Sequence, residues 1–240
     1  MYQTKKTFVK SAMKMSDLIF ENPSLLLMME HFDINIVVRN KTVEQICNEN
    51  QINQQVFISI ANLYNGFNPF SAENNVDRPD TESIIFFLKN SHRYYLDEKI
   101  PEIRNYIHKL YTKNNNPEIR LVEKFFDEYS QEVMEHLEYE DIIAFPYFSY
   151  LAHDNKHSGS KDTKFSAEEY REHHTDIETK LGELKNLLLK HIPLKQDRSL
   201  RRKLLISLFE LEYDLTIHSV IEESILIPLI KKIEKQKGIG

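Results

Sequence analysis

Beyond residue 80, apolar residues recur every three or four positions, the spacing typical of helices with one buried face. Polar or proline-containing breaks separate four such stretches, at about 81–111, 118–151, 166–192 and 197–235. The first and third connections are short, so consecutive helices are expected to run antiparallel. The pattern predicts an all-α fold whose main part is an up-down-up-down four-helix bundle over residues 81–240.

Three prolines fall inside these stretches or near their ends: Pro101, Pro146 and Pro228. Proline lacks the backbone N–H group that an α-helix needs, and its ring clashes with the carbonyl four residues earlier. We therefore expect each proline to kink or end its helix.

A smaller helical pattern covers residues 1–68. One helix or two short ones are predicted over 16–32, with an interruption near Pro23. Thr42 followed three residues later by Gln45 is a capping-box pattern that marks a further helix start. The last helix of this unit is predicted from about Asn53 to Tyr64.

Residues 69–80 are the predicted linker, because the surrounding stretch combines prolines, Asn and Asp and shows little periodicity. An alternative for the preceding unit is a DNA-reading helix-turn-helix around the turn at 50–53. It is disfavoured because no basic recognition face is evident. We interpret residues 1–68 as a small helical docking or dimerisation domain.

The composition is that of an ordinary globular protein, with 41% hydrophobic and 28% charged residues and only 5 glycines. A net charge of -6 argues against nucleic acid as a partner, because phosphate binding needs a basic field. The single cysteine, Cys47, cannot form an internal disulfide, which is typical of a reducing compartment. Neither a signal peptide nor an eighteen-residue apolar run is evident, so we expect a cytoplasmic protein without membrane contact.

Two segments resemble each other: HLEYEDIIAFP, from His136, and HSVIEESILIP, from His218. Each places a glutamate four residues after the histidine, at Glu140 and Glu222, and a proline six residues further on. Residues four apart on a helix share a face, so each pair presents an imidazole and a carboxylate to one point. Apolar residues surround both pairs, and a carboxylate on an interior stripe is costly unless a cation pairs with it.

The heights of four histidines along the predicted bundle agree. His92 and His136 each lie about 20 residues from the first turn, which is roughly 30 Å along a helix. His174 and His218 lie at similar distances from the turn near Pro193. Four imidazoles and two carboxylates that can bridge indicate two metal ions, and iron is preferred over manganese or zinc.

These motifs resemble the hemerythrin-like cation-binding domain and, more narrowly, the di-iron family called repair of iron centers. The resemblance implies two iron ions joined by an oxo or hydroxo bridge. It implies these metal ligands: His92, His136, Glu140, His174, His218 and Glu222. The third-helix ligand falls within EHHTDI at 172–177, where His174 fits the family better than His173. The resemblance implies no other cofactor-binding or catalytic residue.

The N-terminal resemblance covers about residues 16–66. Many members carry adjacent cysteines in the turn between two helices of this domain, whereas residues 35–40 of this chain contain none. Cys47 lies beyond that turn, inside a predicted helix. This departure argues against a cysteine-dependent redox role.

The resemblance implies a stress-response protein that reacts with nitric oxide or oxygen species, or supplies iron for iron–sulfur cluster repair. Whether it turns over a substrate is left open. The alternative is a module that binds or senses oxygen or nitric oxide without turnover, and a metal-free helical interaction protein is the third reading. Expected partners are a gaseous or peroxide ligand, iron–sulfur proteins and a second copy of the chain.

Other polar and aromatic residues receive a structural interpretation. The remaining histidines are expected at the surface or in the core: His31, His108, His153, His157 and His191. Acidic neighbours of the ligands are expected to face solvent: Glu138, Asp141 and Glu223. Most nearby aromatic residues are expected in the core: Tyr94, Tyr95, Tyr139, Phe145 and Phe148.

Overall fold

The computed structural model describes residues 6–67, 80–114, 117–153, 166–173, 178–192 and 197–238. Within these ranges every regular element is a helix, and β-structure is limited to an isolated bridge between Lys14 and Thr42. The all-α prediction is confirmed. The up-down-up-down order of four bundle helices stays a prediction, as do the domain bounds. Of the predicted linker 69–80, residues 69–79 lie outside the described residues, and Asp80 begins a helix.

The N-terminal segment forms four short helices: α1 (Met15–Glu21), α2 (Leu25–His31), α3 (Val43–Asn50) and α4 (Gln54–Tyr64). The stretch 16–32 is thus two helices, separated at Pro23 as expected. Thr42 and Gln45 form the predicted capping box, in which the Gln45 amide nitrogen donates to Thr42 Oγ1 and the Thr42 amide donates to Gln45 Oε1. The Asn53 side chain caps α4 by accepting from two backbone N–H groups.

The longer helices follow in the order that the apolar spacing predicts. They are α5 (Asp80–Arg93), α6 (Ile100–Asn114), α7 (Pro117–Tyr139), α8 (Phe145–Ala152), α9 (Ala167–His173), α10 (Glu178–Lys190), α11 (Arg198–Ile221) and α12 (Ile227–Lys237). Three of the joins are π-helical rather than breaks: Tyr94–Lys99 joins α5 to α6, Glu140–Ala144 joins α7 to α8, and Glu222–Leu226 joins α11 to α12.

Each π-helical segment ends two residues before a proline: Pro101, Pro146 and Pro228. Proline has no backbone N–H group to donate to the carbonyl oxygen four residues earlier. In all three cases that carbonyl lies inside the π-helical segment. The wider π turn accommodates this interruption, and the helix continues. The prolines were expected to kink or end their helices. In the structure, each is instead preceded by a π-helical segment, and the helix continues.

The chain divides into two compact units. The first comprises Met1–Ser91, Ala144–Glu172 and Ile217–Gly240, and the second comprises His92–Ile143 and His173–Thr216. In the first unit α12 packs on α8, and in the second α7 packs on α6 and α10. The core of the second unit is built from buried Leu, Ile, Val, Phe and Tyr side chains of these helices and of α11.

Within the first unit, the end of α2 packs against the second half of α5. The rings of Phe32 and Phe87 lie 4.8 Å apart, and the His31 ring meets Phe87 edge-on at 5.2 Å. Asn90 donates a 2.7 Å hydrogen bond to the His31 carbonyl oxygen. The apolar α2 residues Leu25 and Met28 are fully buried. The end of α2 thus packs against α5 through His31 and Phe32.

No helix among the described residues is long and apolar enough to cross a membrane.

Candidate metal centre

Glu140 is the centre of a buried group in the second unit. Its Oε1 atom lies 3.0 Å from Nε2 of His136, and its Oε2 atom lies 3.2 Å from Nε2 of His92. The three side chains are 0%, 7% and 1% exposed, in that order. The structure thus brings one imidazole to each oxygen of a carboxylate that water does not reach.

The helix geometry explains how α7 supplies two members of this group. His136 lies in the last turn of α7, and Glu140 begins the following π-helical segment four residues later. The neighbouring Val133 and Leu137 are buried, so this face of the helix points to the interior. Not every apolar neighbour is buried, since Ile143, three residues after Glu140, is 44% exposed.

Asp141 was expected to face solvent, and it also contacts a candidate ligand. Its Oδ2 atom lies 3.2 Å from Nδ1 of His92, although the carboxylate is 37% exposed. His92 therefore has a carboxylate oxygen within 3.2 Å of each ring nitrogen. A carboxylate behind the non-ligating nitrogen is a common way to orient a metal-binding histidine.

His218 and Glu222 form the corresponding pair in the first unit. Nε2 of His218 lies 3.3 Å from Oε1 of Glu222, and the two side chains are 4% and 0% exposed. The i, i+4 spacing at the end of α11 places both on one face, as the sequence predicts. Ile217, Ile221 and Ile225 around them are buried.

Two further buried side chains contact this second pair. Tyr170 donates a 2.8 Å hydrogen bond to Oε1 of Glu222, and its ring packs edge-on against Phe148. Ser91 Oγ lies 2.8 Å from Nδ1 of His218. Sequence reasoning missed both residues. The helix pattern around Tyr170 indicates only a core position, and Ser91 lies 127 residues from His218 in the chain.

The donor set fits a metal cation. Two imidazoles converge on a fully buried carboxylate, and a charged carboxylate in such a place needs a cation beside it. Nitrogen and oxygen donors of this kind are accepted by iron, manganese and zinc. In the second unit, His92, His136 and Glu140 therefore form a group of side chains, 1%, 7% and 0% exposed, that could hold a metal ion.

Cys47 adds no thiolate to this chemistry. The side chain is fully buried in α3, and burial raises the pKa of its thiol to about 12, so it stays protonated at neutral pH. This agrees with the interpretation of Cys47 as a small apolar residue rather than a reactive thiol.

The third-helix ligand lies outside the described residues. His174 falls in the gap at 174–177, and nothing is described of the His173 side chain. The choice of His174 over His173, and with it the full set of six ligands, stays a prediction. Of the histidines expected to be structural, His108 and His153 are exposed and His31 is buried. His157 lies outside the described residues.

A charge network around the buried residue Lys99 also lies in the second unit. Lys99 pairs with Glu102 at 2.9 Å and with Glu210 at 2.8 Å. Burial alone would lower the pKa of Lys99, but its hydrogen bonds to Glu210 and Glu102 outweigh burial and raise that pKa. Burial would raise the pKa of Glu102, yet hydrogen bonds from Lys99, Ser207 and Tyr106 lower it. Both groups therefore remain charged at neutral pH.

The family model of the hemerythrin HHE cation binding domain matches residues 83–230, more than half of the chain. The described candidate ligands all lie inside this range. No curated protein and no solved structure matches the chain. The all-helical structure, the buried histidine–carboxylate groups and the family match agree, and the chain belongs to the hemerythrin HHE cation-binding domain family.

Proposed function

We propose that the protein is a non-haem di-iron protein of the nitrosative and oxidative stress response. The observation that carries this proposal is the occurrence of two buried His–Glu pairs, His136 with Glu140 and His218 with Glu222. Each pair offers one nitrogen and one carboxylate, and His92 adds a nitrogen at Glu140.

Two metal ions are favoured over one because each pair contains its own carboxylate. A carboxylate can bridge two ions, and His92, His136, His174 and His218 would supply terminal nitrogen ligands. Iron is preferred because the set contains no thiolate and mixes imidazole with carboxylate. The chain's role is to hold the ions in an interior from which bulk water is excluded.

The bound iron would supply redox chemistry with nitric oxide, dioxygen or peroxide. In the repair of iron centers family that the sequence resembles, the iron would also be donated to damaged iron–sulfur proteins. The buried setting of Glu140 and Glu222 favours small ligands over large substrates, because both carboxylates are fully inaccessible. Iron–sulfur proteins are the proposed partners for iron donation, and the cytoplasm is the proposed location.

A second candidate function is reversible binding or sensing of oxygen or nitric oxide without turnover. Cys47 favours it, because a buried thiol with a pKa of about 12 cannot act as the reactive cysteine of a redox domain. The N-terminal helices would then pass a signal to a partner or to a second copy of the chain. Light scattering of the full chain tests the homodimer directly.

One experiment separates these functions. The protein is purified under argon, its iron is counted, and spectra are recorded as air or nitric oxide is added and then removed. About two irons per chain are expected from the ligand count. Consumption of the gas over repeated cycles indicates turnover, whereas a colour change that reverses when the gas is removed indicates binding. One tightly held metal, or none after growth with added iron, would contradict the di-iron proposal.

A further inference from the structure

Ser91 is a fully buried residue on α5, one position before His92. Its hydroxyl oxygen lies 2.7 Å from the carbonyl oxygen of Leu88 and 2.8 Å from Nδ1 of His218. Two polar atoms from different parts of the chain thus meet one hydroxyl group.

The hydroxyl has a single proton, and its position decides the protonation of the histidine. A carbonyl oxygen can only accept, so at 2.7 Å the Ser91 proton must point to Leu88. The Ser91 oxygen is then an acceptor towards His218, and Nδ1 of His218 must carry a proton. A histidine that binds a metal is neutral and has one N–H group, so in the metal-bound protein its other nitrogen, Nε2, would carry the lone pair that binds the ion.

Nε2 is also the nitrogen that faces the carboxylate of Glu222 in the same unit, 3.3 Å from its Oε1 atom. The hydrogen bond from Nδ1 to Ser91 therefore orients the ring so that Nε2, the nitrogen that can bind a metal, points towards Glu222. Second-sphere hydrogen bonds commonly fix the tautomer and ring orientation of metal-bound histidines in this way.

We propose that Ser91 is a positioning residue that holds His218 as the Nδ1–H tautomer, so that Nε2 is the metal ligand. This inference rests on the proposed metal-binding function. The two histidines would then differ in the group beside Nδ1. For His218 this group is the neutral hydroxyl of Ser91, and for His92 it is the carboxylate of Asp141.

The structural alternative is a helical serine that only bonds back to its own helix, which is common. Ser130 is a matched example: it is 1% exposed, lies within α7, and donates a 2.6 Å hydrogen bond to the Phe126 carbonyl. No histidine contact is described for Ser130. Replacing either serine by alanine removes the same kind of helix bond, but only Ser91→Ala removes an acceptor from His218.

The test uses the full chain and Zn²⁺ as a diamagnetic probe. Zn²⁺ affinity is measured by chelator competition, and the ring protonation of His218 is read from spectra of ¹⁵N-histidine-labelled, Zn²⁺-loaded protein. Wild type should bind through Nε2 and show a protonated Nδ1. Ser91→Ala should bind Zn²⁺ roughly 10–100-fold more weakly, the usual size of a second-sphere loss. Ser91→Thr, which keeps the hydroxyl, should recover most of that affinity, and Ser130→Ala should stay within about twofold of wild type.

Two results would overturn the proposal alone: equal Zn²⁺ affinities in Ser91→Ala and Ser130→Ala, or coordination of His218 through Nδ1 in wild type. A wild-type chain that binds neither Zn²⁺ nor iron would overturn the proposed function and, with it, the ligand role of His218. The outcomes therefore distinguish failure of the positioning role from failure of the metal site. Folding of each variant is checked by its helical circular dichroism. If Ser91→Ala loses its helical signal, Ser91→Val replaces it, because valine has nearly the shape of threonine without the hydroxyl and is compared directly with Ser91→Thr.

Discussion

Nε2 of His136 lies 3.0 Å from Oε1 of Glu140, one helical turn further along the chain. If a metal ion holds this pair together, His136→Ala should lower iron occupancy to less than half of wild type, because the buried carboxylate loses a partner that helps to bind the cation. His218→Ala should act in the same way on Glu222. Iron is counted by elemental analysis after anaerobic purification.

The matched controls are His108→Ala and His153→Ala, whose side chains are 67% and 62% exposed. Both should retain wild-type iron. Equal iron in all four variants would show that the proposed ligands are wrong. Comparing His173→Ala with His174→Ala identifies the third-helix ligand by the same measurement.

The Pro228 ring is expected to maintain the π-helical segment that begins at Glu222. In Pro228→Ala the new backbone N–H can donate to the Ser224 carbonyl, which favours ordinary α-helical winding. Each residue of an α-helix turns the chain by about 100°, so a change from π-helical to α-helical winding rotates the residues on either side of the segment relative to each other. The Glu222 side chain should then point in a different direction relative to α12. Iron occupancy should fall while the circular dichroism signal stays helical.

Pro117→Ala is the control for that change, because Pro117 opens α7, where a proline is tolerated without loss of a helix bond. It should leave the iron content unchanged. A Pro228→Ala protein with the iron content of wild type would mean that the proline does not maintain the ligand geometry.

Lys99 should contribute to stability through its two carboxylate partners. Lys99→Met leaves Glu102 and Glu210 without their cation, and we expect a loss of about 1–3 kcal/mol in the free energy of unfolding. The expected loss is smaller than for a fully buried ion pair because Glu102 is 39% exposed and Glu210 27% exposed. Urea denaturation measures the free energy of unfolding. Lys124→Met, at a side chain that is 75% exposed, should change stability by less than about 0.5 kcal/mol.

Glu102 should make the stability of the folded protein depend on pH in a definite direction. Because the folded protein lowers the pKa of Glu102 from its ordinary value of 4.5, its stabilising effect is fully present above that pH. The effect is lost as the pH falls through the lower pKa of the folded state. Wild type should therefore lose more stability than Glu102→Gln on acidification below pH 4.5, and equal losses would show that Glu102 is not linked to folding.

Cys47 should be unreactive until the chain unfolds. A thiol pKa of about 12 leaves only about 10⁻⁴ of it ionised at pH 8, compared with roughly a quarter for an ordinary thiol of pKa ~8.5. Iodoacetamide should label the native protein slowly and the urea-unfolded protein fully. Equal labelling rates in the two states would contradict the burial of Cys47.

Apolar spacing was sufficient to predict the helices, because long amphipathic stretches with polar breaks have few other folds available to them. Local chemistry was predicted equally well where it depends on neighbours in the chain. The capping box of Thr42 and Gln45 and the close approach of His136 to Glu140 both follow from positions three or four residues apart.

Features that depend on packing were not predicted. A proline in a helix can be accommodated by a kink or by one wide turn, and only the surrounding packing decides between them. The contacts of Ser91 with His218 and of Tyr170 with Glu222 join residues 127 and 52 positions apart. Asp141 was expected to face solvent, and its carboxylate is 37% exposed, but the sequence gives no sign of the imidazole of His92 on its other side.

The π-helical segment between α11 and α12 matters for any designed protein that reuses this helix. One line of buried residues runs along it with spacings of three, four and three, then three successive spacings of four, then three again: Leu208, Leu211, Leu215, His218, Glu222, Leu226, Ile230 and Ile233. In a coiled coil such an interruption of the heptad is called a stutter, and it locally unwinds the superhelix. A designer who grafts His218 and Glu222 onto an ideal heptad repeat would therefore have to transplant the stutter as well, or the carboxylate and the apolar positions beyond it would point to different faces.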